Sequence, residues 1–317
     1  MFVLDSHCDT PSQILTSRNL ALDNENAHVD FPKLKRGKVD GAFFALYIPS
    51  SLDNECDKAF EHAVRLLKGV DDTIKNNAHQ AAYATSEVEA MHNKSRSLFS
   101  VFLGLENGSP IGDDLQRLRW FYDKGVRYVT LCHAADNLIC DSCASAVKRW
   151  GGLSPFGREV VAEMNSLGML IDVSHVSDDT FYDVLESSSR PVVATHSCCR
   201  ALADHPRNMT DDMIRAMASK GGVIQINFYP LFLDSDFIHT GKRPSYKVIA
   251  DHIDHAVSLA GIEHVGIGTD FDGIEVTAEG MDDISAMPLI FDELRYRGYS
   301  EYDLEKIASG NLFRILK

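Results

Sequence analysis

The residues best suited to chemistry in this chain are imidazoles and carboxylates that close apolar, β-rich runs. FVLDSHCDTP ends in His7 and Asp9, LFSVFLGLE in Glu106, VRYVTLCH in His133, GMLIDVSH in His175, PVVATHS in His196, and HVGIGTDF in Asp270 with Asp272 beyond it. Side chains alternate along a strand, so His7 and Asp9 share one face and Cys8 points to the other. Nitrogen and oxygen donors of this kind suit a borderline metal such as Zn²⁺, which leaves a position open for water. Brought together without a cation, the carboxylates would repel one another and drift toward protonation. Three histidines and two acids suffice for two ions if one carboxylate bridges them at roughly 3.5 to 4 Å.

A lone histidine at a strand end is ordinarily satisfied by a local hydrogen bond, and the weight therefore rests on the coincidence of positions. His28, His62, His79, His92, His205, His239 and His264 are read in that ordinary way. His252 and His255 lie three apart in ADHIDHAV, without an HExxH pattern, and their flanking aspartates predict a solvated helix face. The CxxC of Cys140 and Cys143 has no second pair to complete a zinc ribbon and reads as loop thiols.

The elements that must position these groups alternate in type. Eight β-rich runs (FVLDSH, DGAFFALYI, LFSVFLGLE, VRYVTLCH, GMLIDVSH, PVVATHS, GVIQINFY and HVGIGTDF) are mostly separated by segments of helical period. One apolar stripe runs through Val160, Val161, Met164 and Leu167, another through Ile249, Ile253, Val257 and Ala260. Several strands are nearly continuous apolar runs, as expected of a parallel sheet buried on both faces. The pattern predicts an α/β fold, a (β/α)8 TIM barrel, as a single domain over residues 1–317 with loop insertions. A doubly wound open sheet would want a glycine-rich turn after the first strand, and SHCDTP has none. In a barrel, βα loops at the C-terminal ends of the strands form one mouth, and closure turns the strand-end residues toward each other.

Bulk properties narrow the function. The 317 residues are 44% hydrophobic and 24% charged, and the net charge of −15 argues against a phosphate backbone as partner. No apolar stretch reaches the roughly 18 residues of a membrane span, and no secretion signal is visible, so a cytoplasmic protein with neither nucleic acid nor membrane as partner is expected. The seven cysteines are then free thiols.

Taken in order, HxD at residues 7 to 9, GLENG around Glu106, TLCHAADN around His133, LIDVSHVS around His175, THS around His196, HPRNMTDD around Arg207, INFY at 226 to 229 and GTDFDG around Asp270 resemble the renal (membrane) dipeptidase family of zinc peptidases, peptidase family M19. Intracellular bacterial-type members are the closer comparison, because the chain ends in NLFRILK rather than an apolar tail. The resemblance implies two zinc ions, one held by His7, Asp9 and Glu106, the other by the same Glu106 with His175 and His196. It implies attack by a hydroxide between the ions, with Glu106 and Asp270 as the catalytic carboxylates. His133, Arg207 and Asp270 would contact the substrate: His133 at the oxyanion, Arg207 at the terminal carboxylate and Asp270 at the free amine and the moving protons. The expected partner is a small dipeptide, with tolerance of a D-residue at its C-terminal position, and the expected assembly is a homodimer. The alternative is another metal-dependent barrel hydrolase acting on a cyclic amide, ester or phosphoester.

Overall fold

In the computed structural model, which describes residues 1–316, all eight runs form strands, and every pairing is parallel. They are β1 (Leu4–Cys8), β2 (Gly41–Tyr47), β4 (Phe99–Glu106), β5 (Val126–Thr130), β6 (Leu170–Asp172), β7 (Val193–Ser197), β8 (Val223–Ile226) and β9 (Val265–Ile267). A ninth strand, β3 (Ala81–Tyr83), pairs with the first half of β4, whose second half pairs with β5. The remaining strands pair in chain order, and the residues just after β9 return to β1. Asp9 N donates to Phe271 O at 2.9 Å and Asp270 N to His7 O at 3.0 Å. This seam closes a (β/α)8 barrel.

Alternation divides the strand side chains between two apolar layers. One layer lies between strands and helices; it takes Val101, Leu103 and Leu105 from β4 and Val160, Val161 and Met164 from the helix Pro155–Leu167. The other fills the N-terminal end of the barrel with Leu4, Phe43, Phe102, Tyr128, Leu170, Val193 and Val223, under Leu312, Phe313 and Ile315 of the C-terminal helix Asn311–Ile315. All eight residues of β4 are buried, the burial that a continuous apolar run predicts.

The helix Lys247–Ala260 departs from its predicted stripe. Ile249 and Ile253 are buried, but Ala250, His252 and Ala256 complete the covered face while Val257 and Ala260 are only partly covered. His252 is therefore in the core, where Nδ1 accepts from Cys199 N at 3.1 Å and Nε2 lies 3.0 Å from Leu233 O. Two backbone partners offset the cost of burying the ring, which the flanking aspartates, on the outer side of the helix, do not reveal.

Candidate active site

β1 shifts register against β2 between Asp5 and Cys8, and this irregularity turns His7 into the mouth of the barrel. Cys8 packs outward with its thiol toward Phe43 O, while Asp9, one residue past the strand, returns to the side of His7. Glu106 ends β4 and His196 lies within β7, whereas His175 and Asp270 sit three residues beyond β6 and β9. His175, Asp270 and Asp272 have φ of 71°, 62° and 67°, and Asn107 beside Glu106 has 76°. Such left-handed backbone at non-glycine residues costs energy and clusters where side-chain aim matters.

The five residues read as metal ligands converge. His7 Nε2 lies 3.5 Å from Asp9 Oδ2 and 3.4 Å from Glu106 Oε2. The other oxygen of the same carboxylate, Oε1, lies 3.1 Å from His175 Nε2 and 3.5 Å from His196 Nε2, and those two nitrogens are 3.0 Å apart. Donors about 2.0 to 2.1 Å from a tetrahedral ion stand about 3.3 to 3.4 Å from each other. Two of the three buried groups facing the first position carry orphaned atoms, His7 Nε2 and Asp9 Oδ1, so the donor set fits a cation by chemistry as well as by spacing.

Residues behind the cluster fix its orientation, and these the sequence reading missed. Tyr128 Oη lies 2.8 Å from His7 Nδ1, and Gly104 makes room for the ring, since a Cβ there would be 2.1 Å from Tyr128 Cζ. Asp172, buried at the end of β6, accepts from the Thr195 hydroxyl at 2.6 Å, from Thr195 N at 2.9 Å and from the Thr130 hydroxyl. With its hydrogen committed to Asp172, Thr195 Oγ1 accepts from His196 Nδ1 at 2.8 Å, which leaves the Nε2 lone pair facing Glu106. A carboxylate within MLIDVS was the available signal for Asp172. Gly273 lies against the acids: a Cβ there would be 2.1 Å from Asp9 Oδ2 and 2.9 Å from Asp270 Oδ1.

Electrostatics separate the groups. Burial, then the charges of Arg207, His133 and His7, holds His175 well below the usual imidazole range; burial, His7 and Arg207 do the same at His196. Both are neutral donors. Burial opposes charge on His7 too, but Glu106 and Asp9 overcome it and raise its pKa well above normal. Asp9 is pushed up to about 6 by burial and by Glu106, and Asp270 to about 6 by burial, against the pull of His7. Burial and Arg207 lower His133 to about 4, so its ring is neutral at pH 7. The thiols of Cys8, Cys132 and Cys198 are pushed well up by burial and stay protonated.

Above the cluster opens a cavity of about 450 Å³, within the roughly 300 to 1,000 Å³ of small-molecule sites. Asp9, Glu106, His133, His175 and Asp270 reach its wall. Asn227 Nδ2 donates to Asp270 Oδ2 at 2.8 Å, and Ser50 Oγ stands 3.4 Å from His133 Nδ1. Asp272 instead ties the loop, accepting from Arg18 at 2.6 Å and Thr10 Oγ1 at 2.9 Å. Arg207 lies behind the wall, with its Nη atoms donating to Ser197 Oγ and His196 O, both at 2.8 Å, its Nε orphaned, and its guanidinium 5.6 Å from the ring centre of Phe232, which does line the cavity.

Over residues 1–317 the sequence matches the family model described as membrane dipeptidase, peptidase family M19. The chain belongs to the membrane dipeptidase family. Among similar proteins, Dipeptidase verJ of Clonostachys rogersoniana is 34% identical over 316 residues, 96% of this chain and 79% of its own. Dipeptidase aclJ of Aspergillus oryzae is 34% identical over 300 residues, 93% of this chain and 70% of its own. The crystal structure of the probable dipeptidase PvdM from Pseudomonas aeruginosa superposes with a TM-score of 0.92 at 25% identity, covering 100% of this chain and 94% of that one. A metallo peptidase from Rhodobacter sphaeroides, liganded with a phosphinate mimic of the dipeptide L-Ala-D-Ala, superposes with a TM-score of 0.90 at 25% identity, covering 100% and 98%. As a member of this family the chain is a metal-dependent dipeptidase, and among its described residues no helix is long and apolar enough to cross a membrane.

Proposed function

We propose that the protein is a dinuclear zinc enzyme that cleaves dipeptides with free amino and carboxyl termini and accepts a D-residue at the C-terminal position. The observation that carries the reading is the split of the Glu106 carboxylate, Oε2 toward His7 and Oε1 toward His175 and His196. His7, Asp9 and Glu106 would hold one ion, and Glu106, His175 and His196 the other. When bound, such a pair supplies a water acidified toward neutral pH and polarisation of the scissile carbonyl. The dipeptide mimic bound by the similar Rhodobacter sphaeroides protein supports the substrate class and the D-residue.

The chain's own residues do the rest. Arg207, anchored by Ser197 and the His196 carbonyl, lies behind the wall with its Nε and the second hydrogen of each Nη uncommitted, and these are the donors for the terminal carboxylate once the substrate reaches past Phe232. His133, neutral at pH 7, donates a hydrogen bond to the oxyanion that develops on the scissile carbonyl. Asp270, held by Asn227, faces the free amine and carries a proton to the leaving nitrogen.

The test is hydrolysis of L-Ala-L-Ala and L-Ala-D-Ala with metal analysis of the same sample. Both dipeptides should be cleaved by protein carrying about two zinc ions per chain, and Asp270→Asn should lose at least about 100-fold in kcat. Cleavage of a lactone or phosphoester but of no dipeptide would contradict the proposal.

A further inference from the structure

The wall of the cavity carries five carboxylates, Asp9, Glu106, Asp270, Asp272 and Glu275, and no lysine or arginine. Four of them have work. Asp272 is neutralised by Arg18 at 2.6 Å, Asp9 and Glu106 face His7, and Asp270 is held by Asn227 toward the substrate amine. Glu275 is different: it is exposed at the lip, and among the described residues it has neither an ion pair nor a hydrogen bond. It stands five residues after Asp270 on the same loop and lines the cavity together with the aromatic side chains of Tyr229 and Phe232. The charges of Glu275 and Asp270 both act on the Tyr229 phenol, which burial and these carboxylates together push up.

A carboxylate beside an aromatic face is a receptor for an organic cation, because the ring quadrupole and the charge attract it together. Resting on the dipeptidase reading above, we propose that Glu275 with Tyr229 forms a specificity site for a basic side chain, lysine or arginine, on the amino-terminal residue of the dipeptide. The end is set by the loop: Asp270, which meets the amine, and Glu275 belong to one turn of chain, whereas Arg207 takes the carboxylate from the β7 side. The length of a lysine stem suits a charge at the lip rather than beside the metal cluster, and the acidic wall as a whole raises the local concentration of cationic peptide.

The experiment compares kcat/KM for Lys-Ala with that for norleucyl-Ala, equal in stem length and lacking the charge, and uses Ala-Ala as the reference for dipeptidase activity. Lys-Ala should exceed norleucyl-Ala by roughly 5- to 10-fold at low salt and by much less at about 1 M salt. The ratio should fall to about one in Glu275→Gln and below one in Glu275→Lys. Both substitutions are at an exposed loop position, and circular dichroism of each variant should match that of the parent. A ratio near one in the unaltered protein, or one that Glu275→Gln does not change, would overturn the proposal. A Glu275-dependent preference for Ala-Lys over Ala-norleucine would overturn the assignment to the amino-terminal residue. Failure to cleave Ala-Ala would overturn the dipeptidase reading and this inference with it.

Discussion

The two ends of the barrel are built on opposite principles. The N-terminal floor is closed by aromatic packing, with Phe2 and Phe313 ring centres 5.4 Å apart, Phe43 and Phe102 at 4.9 Å, and Phe43 and Tyr128 at 5.1 Å. The C-terminal mouth, over the same strands, gathers three imidazoles and two carboxylates whose donor atoms face one another rather than hydrogen-bond partners. Burial stabilises the floor, since removing apolar surface from water is favourable there. At the mouth burial is a cost, visible in the raised carboxyl pKa values of Asp9 and Asp270. Tyr128 joins the two ends: its ring packs in the floor and its hydroxyl reaches His7. A strong floor thus holds in place a mouth that would not assemble on its own energetics.

Removing Glu106, the carboxylate proposed to bridge two ions, should have the largest effect. Glu106→Ala is expected to lower kcat/KM by roughly 1,000-fold or more and to bring metal content below two per chain, read by elemental analysis beside steady-state kinetics. Gly273→Ala should cost about 100-fold in kcat/KM by driving a methyl into Asp9 and Asp270, with a thermal midpoint close to that of the parent. A loss of folding instead would mean that the loop serves stability and blur the contrast between the two ends. Phe313→Ala is the reciprocal change: about 3 to 5 kcal/mol of stability lost in a denaturant titration, with metal content intact.

Tyr128→Phe tests the joint. Keeping the ring while removing the hydroxyl should weaken metal binding about 10- to 100-fold, measured by competition with a chelator, and change stability by only about 1 kcal/mol. The smallest effect is that of pH. Because the Asp270 carboxyl sits at about 6, it is protonated below that pH and loses its acceptor role, so kcat/KM should fall as pH drops through 6. His133, with its pKa near 4, should add no acid limb above pH 5. An acid limb that persists unshifted in Asp270→Asn would assign it to another group.

What the sequence made legible follows the same division. Eight strands could be read because apolar runs such as FSVFLGLE are buried on both faces, and burial is what composition records. β3, three residues of AAY with Tyr83 exposed, leaves no such trace. The strand-end histidines and acids stood out as polar residues where apolar ones were expected, and the fold brings them together. Their aim was not legible: His175 and Asp270 are turned by left-handed backbone beyond the strands, and His7 by an irregularity of β1. Tyr128 and Thr195 look like ordinary strand residues in VRYVT and VVATHS, because their partners, His7 and Asp172, are distant in sequence. The wall of the cavity is likewise a tertiary feature. Phe232, after β8, and Gly273, Ile274 and Glu275, after β9, supply parts of that wall that the sequence did not announce.

Anomalous diffraction at the zinc edge, from crystals of the zinc-loaded protein, tests the shared carboxylate most directly. Two peaks per chain are expected about 3.5 to 4 Å apart, one among His7, Asp9 and Glu106 and one among Glu106, His175 and His196. A single peak, or two peaks of which only one touches Glu106, would contradict a bridging Glu106.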